Sequence, residues 1–418
     1  MARAGSALGG AGWVLIGTAV GGGAGYLLSA FSGPALGAST YAVFAVFWSA
    51  LYLWVSGASG IQQEVTRSAH RSDSPGGDAT RRSSRLAIGF AATAAATVAV
   101  LVLGSSPVWS PSVFGADWTS LIWPLSFGVA SYVIVTVVAG ILYGLQLWRP
   151  IAAMVIVDGV LRLVLAGASM LISGDVVVVA WAVVIPFLMA PLLVWPFAAR
   201  GVRRRFELDV DASRLIGNSL RTVIGAASTG VLISGFPLLL GATTGGADAT
   251  EFAPLVFAIN LTRAPIVVVV LALQSYLVVR FKTSARNAFR DAARLVGIVA
   301  VFSGMAAGVA WIWGEQLMLV AFGPEFALPG FILAGVIGSS AAIGALCVTG
   351  PLVLARNRHS LFTAGWVVAA VATVGLLLLP LPLVERAILA LWFGPIAGLL
   401  VQTIGLSARR RWAPPPGR

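Results

Sequence analysis

Long apolar stretches recur along this chain, separated by short polar connectors rich in arginine. Twelve are present, at about 11–31, 41–60, 86–104, 119–147, 150–172, 176–198, 215–241, 252–279, 292–314, 329–354, 360–381 and 386–407. Each is close to the roughly 20 residues that a helix needs to cross hydrocarbon. None alternates apolar and polar positions with a period of two, and all are long for strands. In lipid the backbone N–H and C=O groups must pair within the segment, so the stretches are predicted to be α-helices. The pattern therefore predicts an all-α polytopic membrane protein with twelve transmembrane helices.

Composition agrees: of 418 residues, 58% are hydrophobic and 10% charged, too apolar a balance for a soluble core to hide. The net charge of +12 invites a nucleic-acid reading. Placement of the charges removes it, because 23 of the 27 basic residues fall on one side of the ladder. They are Arg3, the cluster at 67–85, Arg149, the stretch 200–214, the stretch 280–294, Arg356, Arg358 and the tail 409–418. The opposite connectors hold one basic residue, Arg386, among Asp117, Asp175, Asp248, Glu251, Glu315, Glu325 and Glu385. By the positive-inside rule both termini are cytoplasmic. Segment one lacks a small-residue cleavage site and is read as a retained helix. A single cysteine, Cys347, excludes an intramolecular disulfide, and His70 and His359 stand far apart. No metal, cofactor or catalytic triad suggests itself, so an enzyme is not expected.

The second half echoes the first about 209 residues later. Phe114-Gly115 before segment four matches Phe322-Gly323 before segment ten. Trp148-Arg149 and Asn357-Arg358 close those same segments, and Gly37-Ala38 before segment two matches Gly246-Ala247 before segment eight. A unit of six crossings is even, so the copies must run parallel. The predicted organisation is a six-helix lobe at 1–199, a cytoplasmic linker and hinge at 200–214, a second six-helix lobe at 215–408 and a cytoplasmic tail at 409–418.

Three runs carry a resemblance. SGPALGASTYAVFAVFWSALYLWVSGASGIQQEVTR is similar to the loop, second helix and following turn of the polysaccharide flippases. GILYGLQLWRPIAAMVIVDGVLRLVL looks like their fourth-to-fifth helix turn, and FGPEFALPGFILAGVIG like their entry into helix ten. These flippases belong to the multidrug/oligosaccharidyl-lipid/polysaccharide exporter superfamily. The resemblance implies two parallel six-helix lobes around a central cavity. It also implies movement of a polyprenyl-phosphate- or pyrophosphate-linked sugar across the bacterial plasma membrane, for cell-envelope polysaccharide synthesis. Glycosyltransferases of the same pathway are then the expected partners, besides the lipid bilayer itself.

Charged side chains inside the spans mark candidate function, since each costs at least ~2.5–3.5 kcal/mol to insert. Arg263 lies deepest, about 18 Å from the outer end of segment eight, with Asn260 and Thr262 before it and Pro265 after. A guanidinium there suits a phosphate, which it can grip with two hydrogen bonds; it is equally able to bind carbonyls of neighbouring helices. Asp158 and Arg162, four apart on segment five, share a helical face. They form either a mutual ion pair or a gating and coupling pair in which Arg162 also meets substrate. Arg221 either snorkels to the cytoplasmic interface or, with Asn218, meets an incoming headgroup. Gln62, Gln63, Glu64 and Arg67 end segment two as a solvated helix end or a substrate contact. The substrate-binding candidates are thus Arg263, Arg162, Arg221, Asn260 and Asn218, with Asp158 and Arg162 for coupling.

Glycines 17, 21, 22, 23 and 25 in segment one allow close packing or bending. Pro186, Pro191, Pro196, Pro237 and Pro265 are expected kink sites. A cation-coupled drug antiporter of the same superfamily is the nearest rival, for which acidic residues in the first lobe are expected; Asp158 alone offers itself. A major-facilitator transporter would show a glycine–aspartate–arginine motif where this chain reads RSAHRSDSPGGDATRRSSR. A membrane glycosyltransferase or polymerase would need a long outer catalytic loop, and no outer connector exceeds about fifteen residues.

Overall fold

The computed structural model describes residues 4–71, 77–244, 250–262, 277–278, 280–281 and 287–408. Its helices follow the apolar ladder closely. They are α1 (Ala4–Ser68), α2 (Asp78–Phe114), α3 (Trp118–Gly144), α4 (Trp148–Ile172), α5 (Val176–Arg205), α6 (Ala212–Ile233) and α7 (Phe236–Thr244). After α8 (250–262) come α9 (Ala288–Phe322), α10 (Gly330–Ala355), α11 (His359–Leu377) and α12 (Leu383–Ala408).

Among the described residues, eight helical stretches are long and apolar enough to cross a membrane, or nine if the bent pair α6–α7 is one crossing. Two of the eight, over 12–68 and 78–144, each hold two predicted segments. Together with α6–α7 this accounts for eleven of the twelve predicted segments; of segment eight, most of the second half lies outside the described residues. Inside α1 the two crossings are joined at Gly37, whose φ of 71° and ψ of 163° are not helical. Only glycine takes that backbone without strain, and Pro34 just before it withholds an N–H from the helix.

Segment seven bends where its Pro237 predicted a kink. It is not one helix over 215–241 but two, bent by 69° at a break between Ile233 and Phe236. Pro237 explains the break: continued as a helix, its ring would strike the carbonyl of Ile233, four residues earlier. The α5 helix, by contrast, runs on through Pro186, Pro191 and Pro196. Pro265 lies outside the described residues.

The chain forms two compact units, residues 1–36 with 43–230, and residues 37–42 with 231–418. In the first, α3 packs on α2 and α5, and α5 on α4. Its core at the arginine-rich ends of these helices gathers Val65, Val137, Leu142, Ile151, Val202, Phe206 and Leu215. In the second, α10 packs on α9 and α12, and α12 on α11, around Leu346, Val353, Trp366 and Leu406. Large apolar side chains left exposed on spanning helices, such as Val108 on α2 and Trp311 and Val320 on α9, are the surface that lipid would cover.

The repeat is visible in backbone geometry. Gly115 and Gly323, 208 residues apart, both have positive φ and each begins or precedes a single 3-10 turn that leads into α3 or α10. At the other end of those helices, Gln146 and Asn357 are the two non-glycine residues with positive φ among the described residues, 56° and 57°. Leu147 N–H donates to the Leu142 carbonyl and Arg358 N–H to that of Val353, so both helices close in the same Schellman turn.

A feature the hydropathy did not show is a two-stranded ribbon, β1 (Ala69–Arg71) with β2 (Phe206–Leu208), antiparallel with His70 opposite Glu207. It ties the stretch expected as a hinge to the turn after α1. Leu208 N–H also donates to Ser83 Oγ at 3.1 Å, and Asp209 N–H to the Ser68 carbonyl at 3.1 Å. Arg71 closes the group by donating to the Leu145 carbonyl at 2.9 Å.

Asp211 caps α6: its carboxylate accepts from Arg214 N–H at 3.0 Å and Ser213 Oγ at 3.1 Å. The Arg214 amide, then the serine hydroxyl, hold this exposed carboxyl below the usual carboxylate range. A depressed folded-state pKa stabilises the helix start above the unfolded value, and that contribution is lost as pH falls through the folded value. Exchange of the Arg214 amide, corrected for its intrinsic rate, is therefore expected to accelerate below the carboxylate range in the native chain. In Asp211→Ala the same dependence should be absent.

Candidate functional site

α4 is positioned by α1. Gly21 of α1 and Gly159 of α4 meet so closely that a Cβ on Gly159 would lie 2.7 Å from the Gly21 Cα. Such glycine contacts let helix backbones touch without side chains to separate them. The next turn of α4 carries Asp158 and Arg162 on one face, as their spacing requires.

Arg162 is the centre of this site, 6% exposed. It donates through Nη2 to Asp158 Oδ1 at 2.6 Å, through Nε to the Val183 carbonyl at 3.2 Å, and through Nη1 to the Tyr52 hydroxyl. Its guanidinium also lies 4.3 Å from the centre of the Phe187 ring, a favourable place for a cation over a π-face. All of these groups belong to the first unit. Their charges cancel, every nitrogen of the guanidinium is engaged, and the Asp158 side chain keeps 26% of its exposure. The arrangement gives a closed ion pair with one carboxylate edge left accessible. Tyr52 and Phe187 are partners that sequence reasoning missed. The available signal was the spacing Phe44, Trp48, Tyr52, one turn apart on α1, where Trp48 stacks on Tyr52 at 4.7 Å.

A second cluster sits at the last turns of α1. Glu64 is buried and accepts from Arg67 Nε at 2.9 Å, Arg67 Nη2 at 2.6 Å and Asn218 Nδ2 at 2.9 Å. Thr222 Oγ1 donates to the Gly60 carbonyl at 2.8 Å, so α6 lies along α1. Asn218 is thereby held by Glu64. Arg221, one turn on, is exposed and makes no hydrogen bond or ion pair to a described residue.

In the second unit, Asn260 Nδ2 donates to the Tyr41 hydroxyl at 3.3 Å. Arg263 lies outside the described residues. Arg386 donates to the carbonyls of Thr243 at 3.2 Å and Leu377 at 3.3 Å, at the last turns of α7 and α11. A cation there complements the negative ends of two helix dipoles. The structure thus joins Asp158 with Arg162 and Asn218 with Glu64 in the first unit, and Asn260 with Tyr41 in the second.

No protein-family model matches the chain. "Uncharacterized protein Rv1510" of Mycobacterium tuberculosis is 31% identical over 374 residues, 88% of this chain and 85% of that protein. "Uncharacterized protein Rv3630" of the same organism is 30% identical over 394 residues, 92% of this chain and 88% of that protein. Among solved structures, the inward-facing conformation of a multidrug resistance MATE family transporter of the MOP superfamily aligns with a TM-score of 0.64. It is 14% identical, over 94% of this chain and 96% of that one. The fold is accordingly that of the MATE transporters, twelve membrane helices in two lobes.

Proposed function

The chain belongs to one family with the mycobacterial proteins Rv1510 and Rv3630, and from that premise we propose that it is a flippase. Its cargo is an anionic lipid-linked saccharide, a polyprenyl phosphate or pyrophosphate carrying the sugar. It moves this cargo from the cytoplasmic to the outer leaflet of a bacterial plasma membrane by alternating access, without making or breaking covalent bonds. Both termini then face the cytoplasm, and the glycosyltransferases that build the glycan are its partners in the pathway.

The observation that carries this reading is the charge balance inside the spans. Asp158 is the acidic residue placed there, and its charge is already matched by Arg162. Arg221 adds a guanidinium with no counter-charge among the described residues, and Arg263 is the further candidate from the sequence. An uncompensated positive balance favours a phosphate and disfavours a cationic drug. The rival, a cation-coupled drug antiporter, is favoured by the multidrug transporter whose fold this chain shares. In that reading the open edge of Asp158 takes the coupling ion.

Purified protein in liposomes, with a fluorescent polyprenyl-pyrophosphate sugar and a membrane-impermeant quencher, separates the two. Flipping well above protein-free vesicles is expected, and Arg263→Ala is expected to abolish it while the protein remains folded. Efflux of cationic dyes with no movement of the lipid would transfer the assignment to the antiporter.

A further inference from the structure

Segment seven opens the second half of the sequence, yet most of its first helix, α6, lies in the first unit, which runs to residue 230. Its seat there is the last third of α1. Small residues make the seam between them. A Cβ on Gly57 would lie 3.6 Å from the Ala227 Cβ and 4.0 Å from Val223 Cγ1, and one on Gly230 would overlap the Ser56 side chain. Backbones packed this closely have few interleaved side chains to unthread when they part.

The polar bonds across the seam each have a substitute on their own helix. Asn218 Nδ2 donates to Glu64 Oε1, but Arg67, three residues beyond Glu64 on α1, already binds both oxygens of that carboxylate. The charge therefore stays paired when Asn218 leaves. Thr222 Oγ1 donates to the Gly60 carbonyl, and it also lies 3.1 Å from the Asn218 carbonyl and 2.9 Å from that of Ser219, both on α6. The hydroxyl keeps an acceptor in either position. Leaving a buried polar group unmatched is what makes most such seams costly to open, and this one strands neither group. The Arg162 site is built the opposite way, since Asp158, Tyr52 and the Val183 carbonyl all depend on one guanidinium.

The two ends of α6 differ. Near its start, Leu215 is 1% exposed in a core with Val65, Leu142 and Phe206, and Asp211 caps the first turn. Its far end meets the 69° break before α7. The helix is pinned at one end and jointed at the other.

We propose that α6 is a hinged arm that swings about Leu215, parting from α1 and returning to it, with the Asn218–Glu64 and Thr222–Gly60 bonds as its latch. The surfaces that separate, on α1 from Ser56 to Glu64 and on α6 from Asn218 to Gly230, both belong to the first unit. The inference needs no substrate identity, so it stands or falls separately from the flippase reading.

The test uses full-length protein in nanodiscs, with Cys347→Ser removing the native thiol. Nitroxides are attached at Gln63→Cys of α1 and Ile224→Cys of α6, both exposed positions. Pulsed electron paramagnetic resonance should give two distances between them, with the longer one the minor population. Asn218→Ala, which removes one latch donor, and Thr222→Val, which removes the other while nearly keeping its shape, should each raise the ratio of long to short about threefold. Should Asn218→Ala fail to fold, Thr222→Val alone decides the matter. A single short distance in the parent and the variants, or two populations that neither substitution moves, would overturn the proposal.

Discussion

Replacing Arg162 by alanine is expected to destabilise the protein by about 1–3 kcal/mol, because it leaves the partly buried Asp158 carboxylate without its counter-charge. Arg162 also satisfies the Val183 carbonyl and the Tyr52 hydroxyl and covers the Phe187 ring, so several groups lose a partner together. Removing both charges, in Asp158→Asn with Arg162→Met, should recover much of that loss, since two neutral side chains leave no unpaired ion. Thermal unfolding in detergent measures both. A single mutant as stable as the parent would mean that the pair is not closed. The double variant also separates the two readings of this pair. Retained transport makes it structural, and lost transport in a stable protein assigns it to coupling.

The second large effect is expected at Gly60. A Cβ there would lie 2.5 Å from the Thr222 carbonyl carbon and 2.5 Å from the Val223 nitrogen. Both are backbone atoms, which cannot rotate aside as a side-chain tip can. Gly60→Ala should therefore push α6 away from α1 and cost about 1–3 kcal/mol in overpacking strain. It should also weaken the Thr222–Gly60 and Asn218–Glu64 bonds that lie along the same seam. The same substitution at Gly89, where nothing stands within 4 Å of the added carbon, should be close to neutral. Equal losses at the two positions would refute the seam as the cause.

Much of the fold was legible because lipid imposes one rule on every crossing: its backbone must be satisfied within the helix. The apolar runs accordingly gave α3, α4, α10 and α12 nearly to the residue. The repeat was legible as well, since Phe114-Gly115 and Phe322-Gly323 mark backbone turns that recur in the structure. Hydropathy passes smoothly over Gly235 and Pro237, so the bend in segment seven was legible from the proline's missing N–H and not from the apolar pattern. The ribbon of β1 and β2 was illegible, as three-residue strands in arginine-rich loops have no periodicity to detect. Asp158 and Arg162 were readable as a pair from their spacing on one helix. Tyr52 was not, because nothing local tells which distant helix supplies the third partner.

The placement of α6 has a practical consequence for dissecting this molecule. A chain cut at the duplication boundary, near residue 211, would separate α6 from the α1 surface on which Asn218 and Thr222 rest. The amino-terminal fragment would then end with Glu64 deprived of one of its donors, and the carboxyl-terminal fragment would begin with an amphiphilic helix lacking its seat. Two co-expressed halves that reassemble should instead be divided near Ser234, after α6 and before the elbow at Pro237. The border expected from the sequence repeat and the border drawn by folding thus differ by about twenty residues.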